Sequence, residues 1–176
     1  MKKRWYFLLI ALIISISGFS QTTEVTIGTG TSTNEHSPFN TFVSNNFSQH
    51  IYTAAEVGHS GTITRLSYNN TSSYICSRTI SVYMAENSKA SFSSASDILP
   101  LSNFTLVYNG SVTFNGWSQI NLTTSFAYQD TANLIIAIVD NTSNYEEQSI
   151  EFASSTTTNT SNLYWFNDNE TFDVNN

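Results

Sequence analysis

The sequence predicts an all-β fold, an antiparallel β-sandwich of about nine or ten strands behind an N-terminal signal peptide. Three observations carry that expectation. Beyond residue 20 apolar residues recur with period two and almost nowhere with helical period. Turn-forming pairs punctuate the chain at intervals of roughly 8 to 15 residues, as between short sandwich strands. Aromatic residues outnumber charged ones, 14% against 11%, so core material is ample and global disorder is excluded.

Residues 1–20 read as the signal peptide. Lys2, Lys3 and Arg4 form its charged start, Trp5 to Ile14 is an unbroken apolar run, and Gly18-Phe19-Ser20 ends it before Gln21. Cleavage is expected between Ser20 and Gln21. Trp5 to Phe19 falls short of the roughly 20 residues that span a bilayer. No later segment is long and apolar enough to do so, which predicts no membrane contact after signal removal. Residues 21–176 form a single domain by length.

Within it, Val25 and Ile27 alternate with threonines as a first strand. Ser48 to Val57, closed by Gly58, reads as a second, and Gly58-His59-Ser60-Gly61 as a tight turn. Thr62 to Tyr68 is a third, and its broken alternation at Ile63 and Leu66 predicts a bulge or a twist. Ile80, Val82 and Met84 share a face. A short helical turn over Ser94 to Leu99 has Ser94 as cap, Asp97 in the first turn and Pro100 as stop. Phe104, Leu106 and Tyr108 alternate up to Asn109-Gly110, a hairpin signal. Val112 and Phe114 follow, up to Asn115-Gly116, and then Ile120 and Leu122. Leu134 to Val139 has no polar member, so that strand is expected to be buried on both faces. Asp140-Asn141 ends it. Ile150 with Phe152, and Leu163 to Phe166, supply the last two strands, with Ser154 to Ser161 as a long exposed loop between them. The chain then stops at Asp173 to Asn176 without a closing strand, which leads us to expect a domain truncated near its end.

Six basic residues face thirteen acidic ones. Loss of the first twenty leaves Arg65, Arg78 and Lys89 against all thirteen acids, a formal charge of −10. Such a surface repels phosphate backbones and argues against a nucleic-acid partner. The single cysteine, Cys76, excludes an internal disulfide and a Cys-based zinc site, and reads as a buried small side chain.

No catalytic constellation is evident. His36, His50 and His59 lack metal-ligand spacing, and Gly58-His59-Ser60-Gly61 is not a nucleophile elbow. Glu146-Glu147 are adjacent and Glu56 ends a strand, so no carboxylate pair is set across a cleft. No resident cofactor is expected beyond structural calcium. Its oxygen ligands would come from Asp168, Asn169, Glu170 and Asp173, or from Asp140 and Glu146. Aromatic platforms for sugar rings would come from Trp117, Trp165, Tyr164 and Tyr145. Tyr164 and Trp165 should point to opposite faces of one strand, and Trp117 should plug the core.

Several strings carry a resemblance. They include Thr26 to Thr33 with Ser37-Pro38-Phe39-Asn40-Thr41, Ser48 to Gly58 with Gly61-Thr62-Ile63-Thr64, Arg78 to Met84, Asp97 to Leu101, Asn109 to Phe114 and Phe126 to Asp140. Together they resemble an N-terminal module of secreted and cell-surface multidomain proteins of Bacteroidetes, associated with type IX secretion and often followed by fibronectin-type domains. That resemblance implies a jelly-roll-like sandwich, further domains of the same chain, and a secreted or cell-surface location. It transfers no catalytic residue. The expected function is a non-catalytic module of an exported protein that binds glycan or protein or acts in surface adhesion. The alternative is an accessory domain of a secreted hydrolase, a peptidase or glycosidase, whose catalytic domain lies beyond residue 176.

Overall fold

The computed structural model describes residues 22–173. The predicted signal peptide and the Ser20–Gln21 cleavage point lie outside the described residues. Nine strands are described: β1 (Ser32–Asn34), β2 (Asn45–Tyr52), β3 (Gly61–Asn70), β4 (Cys76–Asn87), β5 (Thr105–Phe114), β6 (Gly116–Tyr128), β7 (Asn133–Asp140), β8 (Phe152–Ser154) and β9 (Asn162–Asn167). A helical turn, α1 (Ala54–Val57), and a 3-10 turn (Leu101–Asn103) accompany them. The strands form two sheets, a four-stranded one in the order β1-β8-β3-β6 and a five-stranded one in the order β5-β4-β7-β2-β9.

The pairing explains that order. β4 pairs antiparallel with β5, β3 with β6, β2 with β7 and β1 with β8. The first eight strands are therefore one long nested hairpin, wound so that its pairs alternate between two sheets. This is the jelly-roll arrangement. β9 adds to the free side of β2, antiparallel, with Phe47 opposite Trp165. Where β5 and β6 meet across the sheets, Thr123 Oγ1 donates to the Val107 carbonyl at 3.0 Å.

Two apolar layers hold the structure. Between the sheets, Phe39, Phe114 and Phe152 pack edge to face among Ile80, Val82 and Ile120. The second layer covers the outer face of the five-stranded sheet. β7 serves both. Leu134, Ile136 and Ile138 face inward, and Ile135, Ala137 and Val139 face the outer layer, so this strand is buried on both faces as its composition requires. The outer layer is roofed by Phe92, Leu101 and Phe104 from the segment between β4 and β5, and by Phe172, whose ring stacks on Phe47 at 3.8 Å.

Several local expectations are corrected. Val25 and Ile27 lie in no strand; Ile27 packs against the inner core, and Ser155 Oγ accepts from the Thr29 and Gly30 amides at 2.8 and 3.1 Å. The stretch read as a strand to Val57 leaves the sheet at Tyr52. Thr53 then caps α1 in a reciprocal capping box with Glu56, and left-handed Gly58 stops it. Asn109-Gly110 makes no hairpin, because both residues lie inside β5 opposite Ser81 and Ile80. No helix forms over 94–99, where the Asp97 carboxylate is taken up by Lys89 and by the Ser93 amide and hydroxyl. The helical turn comes after Pro100 instead. The bulge in β3 is present, as a register shift between Ile63 and Arg65 against β6. Residues 155–161 form an exposed loop between β8 and β9.

Candidate functional site

One end of the sandwich is organised by a buried cation. Arg78 lies on the inward face of β4, with its side chain out of solvent. Its Nη2 meets Asp140 Oδ2 at 2.7 Å, and its Nε donates to the same oxygen at 2.8 Å. Nη1 donates to the Asn144 carbonyl at 2.7 Å, and Nη2 also reaches the Val43 carbonyl at 3.0 Å. The Asn46 amide closes the set, donating to Asp140 Oδ2 and to the Asn40 carbonyl. One guanidinium thus pins the loop between β1 and β2 and the loop between β7 and β8. Phe42 and Tyr145 stand exposed on these loops.

The outer face of the four-stranded sheet is different in character. In register across β3 and β6, Arg65 faces Asn121, Ser67 faces Gln119 and Asn69 faces Trp117. All but Asn69 are exposed, and Trp117 reaches 62% exposure. The expectation that Trp117 plugs the core is therefore corrected. Ser118 is the inward residue: its hydroxyl accepts from the Asn115 amide at 2.8 Å, and Ile120 continues its face. Alternation then sends Trp117 outward. Arg65 Nη1 donates to Gln119 Oε1 at 3.3 Å. Indole, amides, a hydroxyl and a guanidinium share this surface.

β9 supplies a second aromatic surface. Leu163 and Trp165 face the outer layer, where Trp165 meets the Phe172 ring edge-on. Tyr164 and Phe166 face the other way, each 43% exposed, with rings parallel at 5.9 Å. His36 lies against both. Tyr164 and Trp165 are thus divided between two faces, as their adjacency requires. Phe166 and His36 were not among the sequence candidates, although the i, i+2 spacing of Tyr164 and Phe166 was available as a signal. Arg65 was also missed, because only the β3–β6 register reveals it as a neighbour of Gln119 and Asn121. Tyr145 is 60% exposed and joins neither surface by any ring contact.

Three of the calcium candidates, Asp140, Glu146 and Asp168, have protein partners. Asp140 serves Arg78 and also accepts from the Thr142 amide and hydroxyl. Glu146 accepts from the Tyr74 hydroxyl at 2.8 Å, which raises the phenol's pKa. Asp168 accepts from the Ser44 amide at 3.0 Å. The Asn169 and Glu170 amides donate to Asn167 Oδ1, and Asp173 ends the described chain. Among the described residues, no group of three or more His, Cys, Asp or Glu side chains is placed to hold a metal ion.

His50 is buried beside Ser48, with its ring nitrogen 3.0 Å from the hydroxyl, and burial pulls its pKa down to about 4. Cys76 is buried and unpaired in a disulfide, and burial pushes its thiol up to about 11. Among the described residues, one depression lies beside Thr53, Glu56 and Thr157 and another beside Ile98, Pro100 and Phe172. Glu56 is the only titratable group among the described residues that lines either. Comparison with protein-family models, curated proteins and solved structures returned no match.

Proposed function

We propose that this chain is a non-catalytic β-sandwich module of an exported protein, and that it binds glycan on the outer face of its four-stranded sheet. The observation that carries the reading is Trp117, a large ring left 62% exposed on a sheet face otherwise lined by amide and hydroxyl side chains and one guanidinium. A flat π surface suits the apolar face of a pyranose, and Asn69, Gln119 and Asn121 offer both donors and acceptors for its hydroxyls. Rigid strands hold these groups, so little ordering is lost on binding. The leader-like residues 1–20 support export.

A second reading, docking of a protein, is favoured by Tyr164 and Phe166. They stand half-exposed on β9, which pairs only with β2 among the described residues and carries no charged side chain. A glycan array probed with the folded chain and with Trp117→Ala and Tyr164→Ala variants separates the two. Glycan binding weakened at least tenfold by Trp117→Ala alone is the expected result. A folded chain that binds no glycan, or binds equally well without the indole, overturns the reading.

A further inference from the structure

From the charge distribution we infer that the glycan is acidic, a short oligosaccharide that stacks one ring on Trp117 and presents an isolated carboxylate to Arg65. This rests on the glycan-binding reading above and names its ligand class. The four strands of the outer sheet, β1, β8, β3 and β6, contain no aspartate or glutamate, and Arg65 is their only charged residue. All thirteen acids of the chain lie elsewhere. The face is therefore a neutral-to-positive island on a strongly acidic domain.

Arg65 is also the one exposed cation of the described chain with no acidic partner. Arg78 is buried against Asp140, and Lys89 is paired with Asp97 at 2.6 Å. Arg65 meets only a neutral partner, the Gln119 amide oxygen at 3.3 Å. Its planar fork matches a carboxylate with two parallel hydrogen bonds.

Spacing sets the ligand's size. Arg65 lies four residues along β3 from Asn69, which pairs with Trp117. At roughly 3.3 Å per residue the two backbone positions stand about 13 Å apart, and the Arg65 guanidinium reaches part of the way back, to Gln119. A short oligosaccharide covers that span, with one ring on the indole and a carboxylate at the guanidinium. Ser67 and Gln119 lie between the two contacts, and Asn121 lies directly opposite Arg65, to meet the intervening hydroxyls. Density of charge matters too. The rest of the surface repels a dense polyanion over the length of a polymer, whereas a single carboxylate feels mainly its local partner within the screening length.

The test is binding of the full chain to oligosaccharides that each carry one uronic or sialic acid, paired with the same compounds after carboxyl reduction. Wild type is expected to prefer the acid form by about tenfold, the range of a hydrogen-bonded charge contact. Arg65→Gln should erase that preference while keeping the affinity for the reduced form. Arg65→Lys should keep part of the preference, and Trp117→Ala should weaken both forms. Polygalacturonate should bind less tightly than the sparsely charged compounds. Equal affinity of wild type for acid and reduced forms overturns the inference and leaves the glycan module standing. So does a preference that survives Arg65→Gln. Binding of neither form overturns both.

Discussion

Arg78 and Asp140 form a salt bridge of 2.7 Å in which neither side chain reaches solvent. It joins the first residues of β4 to the last residue of β7, and its spare donors hold loop carbonyls on both sides. Breaking such a pair leaves a buried charge without its counterion. Arg78→Met is expected to lower unfolding free energy by about 3 to 5 kcal/mol. The double change Arg78→Met with Asp140→Leu should recover most of that loss, because it removes both charges. Urea unfolding measures each. A double variant as unstable as the single one would mean that the loop carbonyls, not the ion pair, dominate.

His50 gives the fold a pH dependence of known sign. Its folded pKa is about 4 against an ordinary 6.5, through burial. Between those values the unfolded chain binds a proton that the folded chain refuses. Stability therefore falls as pH drops from 6.5 toward 4 and levels off below, by about 3 kcal/mol at most. Above pH 6.5 the residue contributes no slope. Urea midpoints at pH 7 and pH 4.5 should diverge in wild type and draw together in His50→Gln. Asp97 acts in a lower window. The hydrogen bond from Lys89, then those from Ser93, hold its carboxyl at about 2. The stability it contributes is present above its ordinary value of 3.8 and is lost as pH falls toward 2.

Cys76 should be silent toward alkylating reagents while the chain is folded. Burial both shields the sulfur and pushes its pKa to about 11, which removes the thiolate at neutral pH. Labelling by iodoacetamide should then proceed only through opening of the sandwich. Arg78→Met should speed it about tenfold for every 1.4 kcal/mol of stability lost. Fast labelling of wild type would place Cys76 in a locally open segment.

Phe172 is expected to hold down the outer layer. Its ring is stacked on Phe47 within 3° of parallel and meets Trp165 edge-on. Phe172→Ala should destabilise by about 1 to 2 kcal/mol. It should also shift Trp165 emission to the red, read in a Trp117→Phe background. An unchanged spectrum would show that Trp165 is shielded by other neighbours.

What the sequence reveals follows the physics of each signal. β7 is legible because six apolar residues in a row permit only burial on both faces. The turn at Asn115-Gly116 is legible because Gly116 needs a left-handed backbone, with φ of 58°. Asn109-Gly110 carries the same letters and fails. Long-range pairing with β4 extends the strand through it, and Tyr108 folds its hydroxyl back to the Ser111 carbonyl at 3.0 Å. β2 was half hidden: Asn46, Ser48, Gln49 and His50 look solvated but are buried, each with a hydrogen-bond partner. For the candidate site, the aromatic members stand out as single residues. Their grouping depends on register, which couples residues some fifty positions apart and leaves no local trace.

The nested pairing also dictates when the chain can close. β4 and β5 are close in sequence and can meet early, whereas β1 has no partner until Phe152–Ser154 has been made. A chain emerging residue by residue would hold β1 and β2 unmatched until β7 and β8 have been made. Its zipper starts in the middle and shuts at the extremities, the slow regime of high contact order. A polypeptide built this way stays threadable until β8 arrives.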